Sequence, residues 1–244
     1  MSLMNATMLH MPMTVKMIMD HGREVFPDSR VGTFDGDSVS WTSYATLAAN
    51  ANRLASALAG VGIAPGDRVA TFSWNNLAHM EAYLAIPSMG AIMHTVNIRL
   101  SPEQIAYVIN HAQDRVVILD GSLREIFEPV IPLLETVETV LVVDDEINST
   151  ITWYNYRELL SQQSDSFDWP ELDETVAAAV CYTSGTTGNP KGVVYSHRTT
   201  FVHSLASRAT DTFGISERDR ILLLPSMFHA NAWGLPYSGW MSGS

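Results

Sequence analysis

Apolar residues recur along parts of the chain at the spacing of an amphipathic helix. In residues 43–59 they return at steps of three and four, which predicts a helix with one buried face. Thr42 is the predicted N-cap of this helix, and Gly60 and Gly62 are predicted to stop it. Residues 101–103, Ser-Pro-Glu, predict the start of a second helix, because proline is tolerated in the first turn.

Other apolar runs have the character of strands. Residues 31–34 and 38–41 flank Asp35-Gly36-Asp37, which predicts a β-hairpin. Five further runs are continuous rather than alternating, as in parallel strands covered by helices on both faces. They are residues 68–72, 116–119, 140–143, 176–182 and 221–224. A further strand is predicted at residues 193–195. The pattern predicts an α/β fold of layered sheets flanked by helices.

A polar stretch at residues 161–174 resembles a linker more than any other part of the chain. We therefore predict an N-terminal α/β subdomain at residues 1–165 and the start of a second α/β subdomain at residues 166–244. No apolar run approaches the roughly 18 residues of a membrane helix, and the first residues do not predict a signal peptide.

Charge and cysteine content narrow the function classes. With 14 Lys and Arg against 26 Asp and Glu, the formal net charge is −12, and the cations are scattered. Such a chain repels nucleic acid, so no nucleic-acid partner is predicted. Lys16 and Lys191 are the only lysines, so a function that needs an ammonium group has two candidates. The single cysteine, Cys181, excludes an internal disulfide and suits a cytoplasmic protein.

Residues 182–192 carry the most informative motif, Tyr-Thr-Ser-Gly-Thr-Thr-Gly-Asn-Pro-Lys-Gly. Its glycines let the backbone approach a ligand, its hydroxyls add donors, and Lys191 supplies a positive charge, a combination that suits a polyphosphate. An ordinary surface loop rich in Gly, Ser and Thr is the alternative. The motif is not a Walker A loop, because Pro190 and Gly192 stand where that pattern needs Gly and Ser or Thr.

This segment resembles the phosphate-loop signature of the adenylate-forming superfamily, which includes acyl-CoA synthetases, luciferases and the adenylation domains of peptide synthetases. It matches every fixed position of that motif. Residues 225–233, Pro-Ser-Met-Phe-His-Ala-Asn-Ala-Trp, resemble the next motif of the medium- and long-chain fatty acyl-CoA synthetases. Weaker similarities at residues 66–70 and 94–102 extend the resemblance over nearly the whole chain. It implies the N-terminal part of the large domain of an acyl-CoA synthetase-like fold.

The resemblance implies a fatty acyl-CoA ligase that uses ATP, Mg²⁺ and coenzyme A and forms an acyl-adenylate. Thr183 corresponds to a Mg²⁺ ligand, and Lys191 is expected to pair with the departing pyrophosphate. The residues expected to wrap the β- and γ-phosphates are Ser184, Gly185, Thr186, Thr187 and Gly188.

In the second motif, the resemblance places His229 beside the acyl carboxylate and the adenylate. It implies that the small Ala230 lets the backbone approach the adenylate, and that Trp233 is an aromatic gate between the ATP site and an acyl tunnel. Lys191 and His229 are thus the predicted catalytic residues. The structural alternatives are a histidine without a catalytic role and an ordinary core tryptophan.

Several later motifs of the superfamily do not occur in these residues. They include a carboxylate for Mg²⁺, an aspartate for the ribose, and the mobile C-terminal domain with its second lysine. We therefore expect an N-terminal piece of a longer ligase, with little turnover alone and an apolar face that favours association. The alternatives are a non-catalytic nucleotide- or acyl-binding remnant, and a ligase for aryl or short-chain acids. Homodimerisation and peripheral membrane contact are the partner hypotheses.

Overall fold

The computed structural model describes residues 7–8, 11–34, 36–183 and 189–244. Its α-helices are α1 (Val15–Val25), α2 (Tyr44–Gly60), α3 (Leu77–Ser88), α4 (Pro102–Ala112), α5 (Arg124–Phe127), α6 (Tyr156–Ser161), α7 (His197–Ser207) and α8 (Leu235–Ser242). Its strands are β1 (Arg30–Phe34), β2 (Val39–Ser43), β3 (Arg68–Phe72), β4 (Ile92–Thr95), β5 (Asp114–Asp120), β6 (Thr139–Val143), β7 (Thr152–Asn155), β8 (Ala177–Thr183) and β9 (Lys191–Ser196).

Seven strands form one sheet in the order β7-β6-β5-β3-β4-β8-β9. All neighbouring pairs are parallel except β8 and β9, which are antiparallel. The predicted α/β class is confirmed. Strands β1 and β2 form a separate antiparallel hairpin, as predicted, although Asp35 of its turn lies outside the described residues.

Helices cover both faces of the large sheet, which explains why its strands are continuously apolar. On β3, Val69 packs into a core that includes side chains of α1, α2 and α3. Its neighbours Ala70 and Phe72 point to the opposite face, where they pack with residues of α4 and α5. Because successive side chains of a strand alternate between faces, both sets of side chains in such a strand can be buried, as at Val69 to Phe72 of β3.

Two local predictions are wrong. The N-cap of α2 is Ser43 rather than Thr42: the Ser43 Oγ accepts a hydrogen bond from the Thr46 N–H at 3.1 Å, while Thr42 pairs with Val31 in the hairpin. Residues 221–224 do not form a strand. They pair with no strand, and Leu222 is 81% exposed, so the apolar run is not evidence of a buried strand here.

The stretch at residues 162–174 has no helix or strand and lies against α2. The Asn52 side chain donates to the Asp165 carbonyl at 2.6 Å and accepts from the Trp169 indole at 3.1 Å. Beyond it, β8 and β9 join the sheet that the preceding strands form. The subdomain division at residue 165 stays a prediction. No helix within the described residues is long and apolar enough to cross a membrane.

Candidate active site

Both motifs lie at the edge of the sheet where the parallel strands end. Strand β4 lies between β3 and β8 in this sheet, and the three strands end at Thr95, Phe72 and Thr183, respectively. Ligands of open α/β sheets bind outside the carboxyl ends of the strands. Hydrogen bonds bring the segment at residues 223–231 to this edge, as described below.

The first motif joins β8 to β9. Thr183 ends β8 and pairs directly with Lys191 at the start of β9, and both residues are exposed. The hydroxyl and the ammonium group thus flank the two ends of the predicted phosphate loop. The remaining predicted phosphate ligands, Ser184, Gly185, Thr186, Thr187 and Gly188, lie outside the described residues.

The second motif lines a cavity of about 680 Å³. The cavity brings His229 and Trp233 together, and both side chains are exposed to it or to solvent. Trp233 is 57% exposed, so it is not the core tryptophan of the structural alternative. Among the residues that the structure describes, the lining consists of Asn97, Arg99, Leu224, Pro225, Ser226, Phe228, His229 and Trp233.

The backbone after His229 forms a left-handed turn. Residues 230–233 have φ angles between +44° and +57°, and Gly234 continues the turn at +70°. Residues other than glycine adopt this region at a cost in free energy, so surrounding contacts must hold it. Asn231 supplies them: its Oδ1 lies 3.2 Å from the Thr95 hydroxyl and 2.9 Å from the Cys181 thiol, both of which donate. Burial raises the pKa of Cys181, which keeps the thiol protonated.

The backbone before His229 is held by two side chains from other elements. The Asn75 amide donates to the carbonyls of Leu223 and Pro225, and its oxygen accepts from the Met227 N–H. The Tyr83 hydroxyl donates to the Met227 carbonyl at 2.5 Å. Burial holds the pKa of Tyr83 well above its usual range, so this hydroxyl remains a donor.

Comparison with known proteins assigns the family. A family model described as "AMP-binding enzyme" matches residues 19–244. The chain belongs to this family. It is 41% identical over 242 residues to the 3-methylmercaptopropionyl-CoA ligase of Ruegeria pomeroyi, covering 97% of this chain and 45% of that protein. It is 47% identical over 198 residues to the medium-chain-fatty-acid–CoA ligase of Ectopseudomonas oleovorans, covering 80% of this chain and 36% of that protein.

A solved structure agrees on the fold of this AMP-binding domain. A long-chain-fatty-acid-CoA ligase from Archaeoglobus fulgidus matches it with a TM-score of 0.83 at 22% identity, covering 99% of this chain and 48% of that chain. The family model and the sequence identity to the fatty-acid–CoA ligase confirm the predicted resemblance to the N-terminal portion of acyl-CoA ligases. The AMP-binding chain spans less than half the length of these relatives.

The described residues can supply only part of the ligand set of a Mg²⁺ ion. Thr183 can supply one hydroxyl oxygen, the kind of ligand that Mg²⁺ accepts. Within the described ranges, no group of three or more His, Cys, Asp and Glu side chains could hold a metal ion. A Mg²⁺ ion at Thr183 would therefore need phosphate oxygens, water or other residues as its remaining ligands.

Sequence reasoning missed two cavity residues of the AMP-binding domain, Asn97 and Arg99. Both follow β4, and the Arg99 guanidinium lies 6.0 Å from the centre of the Phe228 ring. They fall within residues 94–102, where the superfamily resemblance was already visible. The missing information was the parallel pairing of β4 with β8, which brings the two loops to one edge.

A buried contact between a histidine and an aspartate next to the first motif was also missed. His94 Nδ1 lies 2.5 Å from Asp114 Oδ2, and both side chains are fully buried. Burial raises the pKa of Asp114, an effect that His94 partly counters. The Tyr182 ring packs 5.0 Å from the His94 ring, and its hydroxyl lies 2.6 Å from His111 Nδ1. Tyr182 is thereby held on two sides immediately before Thr183.

Proposed function

We propose that this AMP-binding chain is part of a fatty acyl-CoA ligase. The carboxylate of the acid attacks the α-phosphate of ATP, the bond to the β-phosphate breaks, and pyrophosphate leaves. The thiolate of coenzyme A then attacks the acyl-adenylate carbonyl, and AMP leaves. The observation that supports this proposal is the placement of both motifs at one sheet edge: the Thr183–Lys191 mouth of the hairpin, and the cavity lined by His229 and Trp233.

The first step brings two anions together, so charge neutralisation must lower its barrier. In our proposal Lys191 offsets the negative charge that develops on pyrophosphate, and the loop at residues 184–188 wraps the β- and γ-phosphates. Mg²⁺, with Thr183 as one ligand, supplies further positive charge when bound. His229 donates a hydrogen bond near the reacting carboxylate and orients it, while Ala230 leaves room for the adenylate.

The acid is proposed to bind in the 680 Å³ cavity, with Trp233 at its entrance as a gate. Of the described lining residues, Leu224, Pro225, Phe228 and Trp233 are apolar, which suits an aliphatic chain. Medium- and long-chain fatty acids are the first candidates. Short-chain acids are the second candidate, because the chain is 41% identical over 97% of its length to a ligase named for 3-methylmercaptopropionate.

We further propose that the 244 residues alone turn over little substrate. They align with 45% of one ligase and 36% of another, so more than half of each relative has no counterpart here.

The enzyme is proposed to act in the cytoplasm on small-molecule substrates, without nucleic acid. Sedimentation and vesicle flotation of the full-length protein test the remaining two partner hypotheses, a homodimer and peripheral membrane contact.

The decisive experiment measures acid-dependent pyrophosphate release and acyl-CoA formation by the full-length protein and by the 244-residue chain. The acids are a series of saturated fatty acids from short to long, 3-methylmercaptopropionate and benzoate. We expect the full-length protein to prefer an aliphatic acid and the short chain to be nearly inactive. Nucleotide binding without turnover in the full-length protein would favour the non-catalytic alternative. Strong turnover by the 244 residues would contradict the proposed dependence on further chain.

A further inference from the structure

The segment that leads into His229 has an unusual support. Residues 223–227 belong to no helix or strand, so no ladder of backbone hydrogen bonds fixes them. Besides the Tyr83 hydroxyl at Met227, the Asn75 side chain holds them: it donates to the Leu223 carbonyl at 3.0 Å and to the Pro225 carbonyl at 2.9 Å. It also accepts from the Met227 N–H at 2.7 Å. One amide thus bonds three backbone groups within five residues.

Asn75 is itself well fixed. It lies between the end of β3 and the start of α3, and its neighbour Asn76 is the N-cap of that helix, with Oδ1 accepting from the His79 N–H at 2.9 Å. The Asn76 amide nitrogen also donates to Asp120 at the end of β5, at 2.7 Å. The loop that carries Asn75 is therefore tied to the sheet and to a buried helix.

We propose that Asn75 is a positioning residue for the acid-binding cavity: it holds residues 223–227 so that Leu224, Pro225 and His229 form the cavity wall. This inference rests on the proposed function, because it assigns the cavity to the acid substrate. Asn75 is not among the residues that line the cavity, so it acts through the backbone that it holds. The nucleotide phosphates are proposed to bind at the β8–β9 connection, whereas the hydrogen bonds of the Asn75 side chain to described residues all go to residues 223–227.

The chemistry of the site requires an amide. Two carbonyl oxygens need two donated protons and one N–H needs an acceptor, and only the amides of Asn and Gln offer two donors and an acceptor at a fixed spacing. An aspartate of the same size could still accept from Met227, but its second oxygen would face the Leu223 and Pro225 carbonyls with no proton to share. Asn75→Asp therefore removes the two donated bonds while leaving the shape of the side chain unchanged.

The chain offers a matched control. Asn110 in α4 also bonds backbone with its amide: it donates to the Leu133 carbonyl and accepts from the Glu135 N–H, both at 2.9 Å. It is partly buried like Asn75, and it does not line the cavity. Asn110→Asp thus makes the same chemical change to a similar set of bonds at another place.

The test compares Asn75→Asp, Asn110→Asp and the unsubstituted full-length protein in acyl-CoA formation. For Asn75→Asp we expect the KM for the acid to rise about tenfold, because small displacements of a positioned wall are costly, and the KM for ATP to stay within about twofold. General loss of folded protein would lower kcat without changing either KM. An acid KM equal to that of Asn110→Asp would overturn the proposal.

Hydrogen exchange of the same proteins provides a readout that does not depend on activity. Asn75→Asp should speed exchange at residues 223–229, and Asn110→Asp should speed it at residues 133–137 instead. Tyr83→Phe, which removes only the hydroxyl bonded to Met227, should shift exchange and acid KM in the same direction by less. Unchanged exchange at 223–229 in Asn75→Asp would overturn the positioning role. Absence of acyl-CoA formation in the unsubstituted protein would instead contradict the proposed function, while exchange would still decide on Asn75.

Discussion

At the scale of single residues, the two lysines have different surroundings and can be compared directly. Lys191 stands exposed at the mouth of the β8–β9 hairpin, whereas Lys16 pairs with Asp20 one turn along α1. If Lys191 neutralises the leaving pyrophosphate, Lys191→Met in the full-length protein should slow acid-dependent ATP–pyrophosphate exchange by about 10²-fold, the effect of removing one transition-state donor. Lys191→Arg should retain more activity because it keeps the charge.

The matched control is Lys16→Met. It removes the same ammonium group from an ion pair on a helix surface, whose loss should cost about 0.5 kcal/mol of stability and little exchange activity. Equal losses in Lys16→Met and Lys191→Met would contradict a specific role for Lys191.

A buried histidine gives a second prediction at this scale. His79 Nδ1 lies 2.9 Å from the Trp74 carbonyl, which can only accept, so this nitrogen carries the proton and Nε2 accepts from the Thr71 hydroxyl at 3.0 Å. Burial lowers the pKa of His79 from 6.5 to about 4. As the pH falls, His79 of the unfolded chain therefore binds a proton before His79 of the folded chain does. The contribution of neutral, buried His79 to the free energy of unfolding is complete above pH 6.5 and falls as the pH drops toward 4.

We expect His79→Gln to make the unfolding free energy less dependent on pH. Urea titrations at about pH 7 and about pH 4.5 should show that the wild-type chain loses about 2 kcal/mol more than the variant over this interval. Comparison with the variant isolates His79 from buried carboxyls such as Asp114, whose raised pKa acts in the opposite direction. Parallel pH profiles for the two proteins would contradict the assignment.

At the scale of elements, two adjacent hydroxyl residues before α2 have different roles. Ser43 caps the helix through the Thr46 N–H, and Thr42 pairs with Val31 in the hairpin. Ser43→Ala should therefore lower the free energy of unfolding by about 1 kcal/mol. Thr42→Ala, the change at the residue that the sequence suggested as the cap, should cost less than about 0.5 kcal/mol. Urea denaturation of both variants distinguishes them, and the reverse order of costs would restore Thr42 as the cap.

The strands show which features of elements can be read from sequence. Runs that helices cover on both faces, such as residues 68–72 and 140–143, were predicted correctly because burial on both sides demands continuous apolar residues. The run at 221–224 is also continuously apolar but pairs with no described strand, and its Leu223 carbonyl accepts a hydrogen bond from Asn75, which is far away in sequence. Edge strand β7 was not predicted, since its side chains alternate between exposed and partly buried.

In the candidate site, too, some features can be predicted from local sequence and others depend on residues far apart in the chain. The chemistry at Thr183, Lys191 and His229 was visible as local motifs, because ligand binding selects residue types at fixed spacing. The supports at Asn75 and Asn231 were not visible, because each holds backbone or side chains from elements far along the chain. A left-handed turn over Ala230, Asn231, Ala232 and Trp233 is also unpredictable from local preference, since only tertiary contacts make it tolerable.

At the scale of the whole molecule, charge and exposed apolar surface have opposing effects. The net charge of −12 makes copies of the chain repel one another, while several large apolar side chains are exposed, including Leu222 at 81% and Val194 at 61%. Salt screens the repulsion between charges but does not weaken apolar contact. We therefore expect the 244-residue chain to associate reversibly, and more strongly at high salt.

Sedimentation velocity over a range of protein concentrations, at about 0.05 M and about 0.5 M salt, measures this balance. Substituting Leu222→Ser together with Val194→Ser should shift the chain toward monomer, because it removes the apolar side chains that make contact. Val25→Ser, at a residue that is 55% exposed on α1, changes a comparable side chain elsewhere and should leave association unchanged. A strictly monomeric wild-type chain at high salt and high concentration would show that these exposed side chains do not drive self-association.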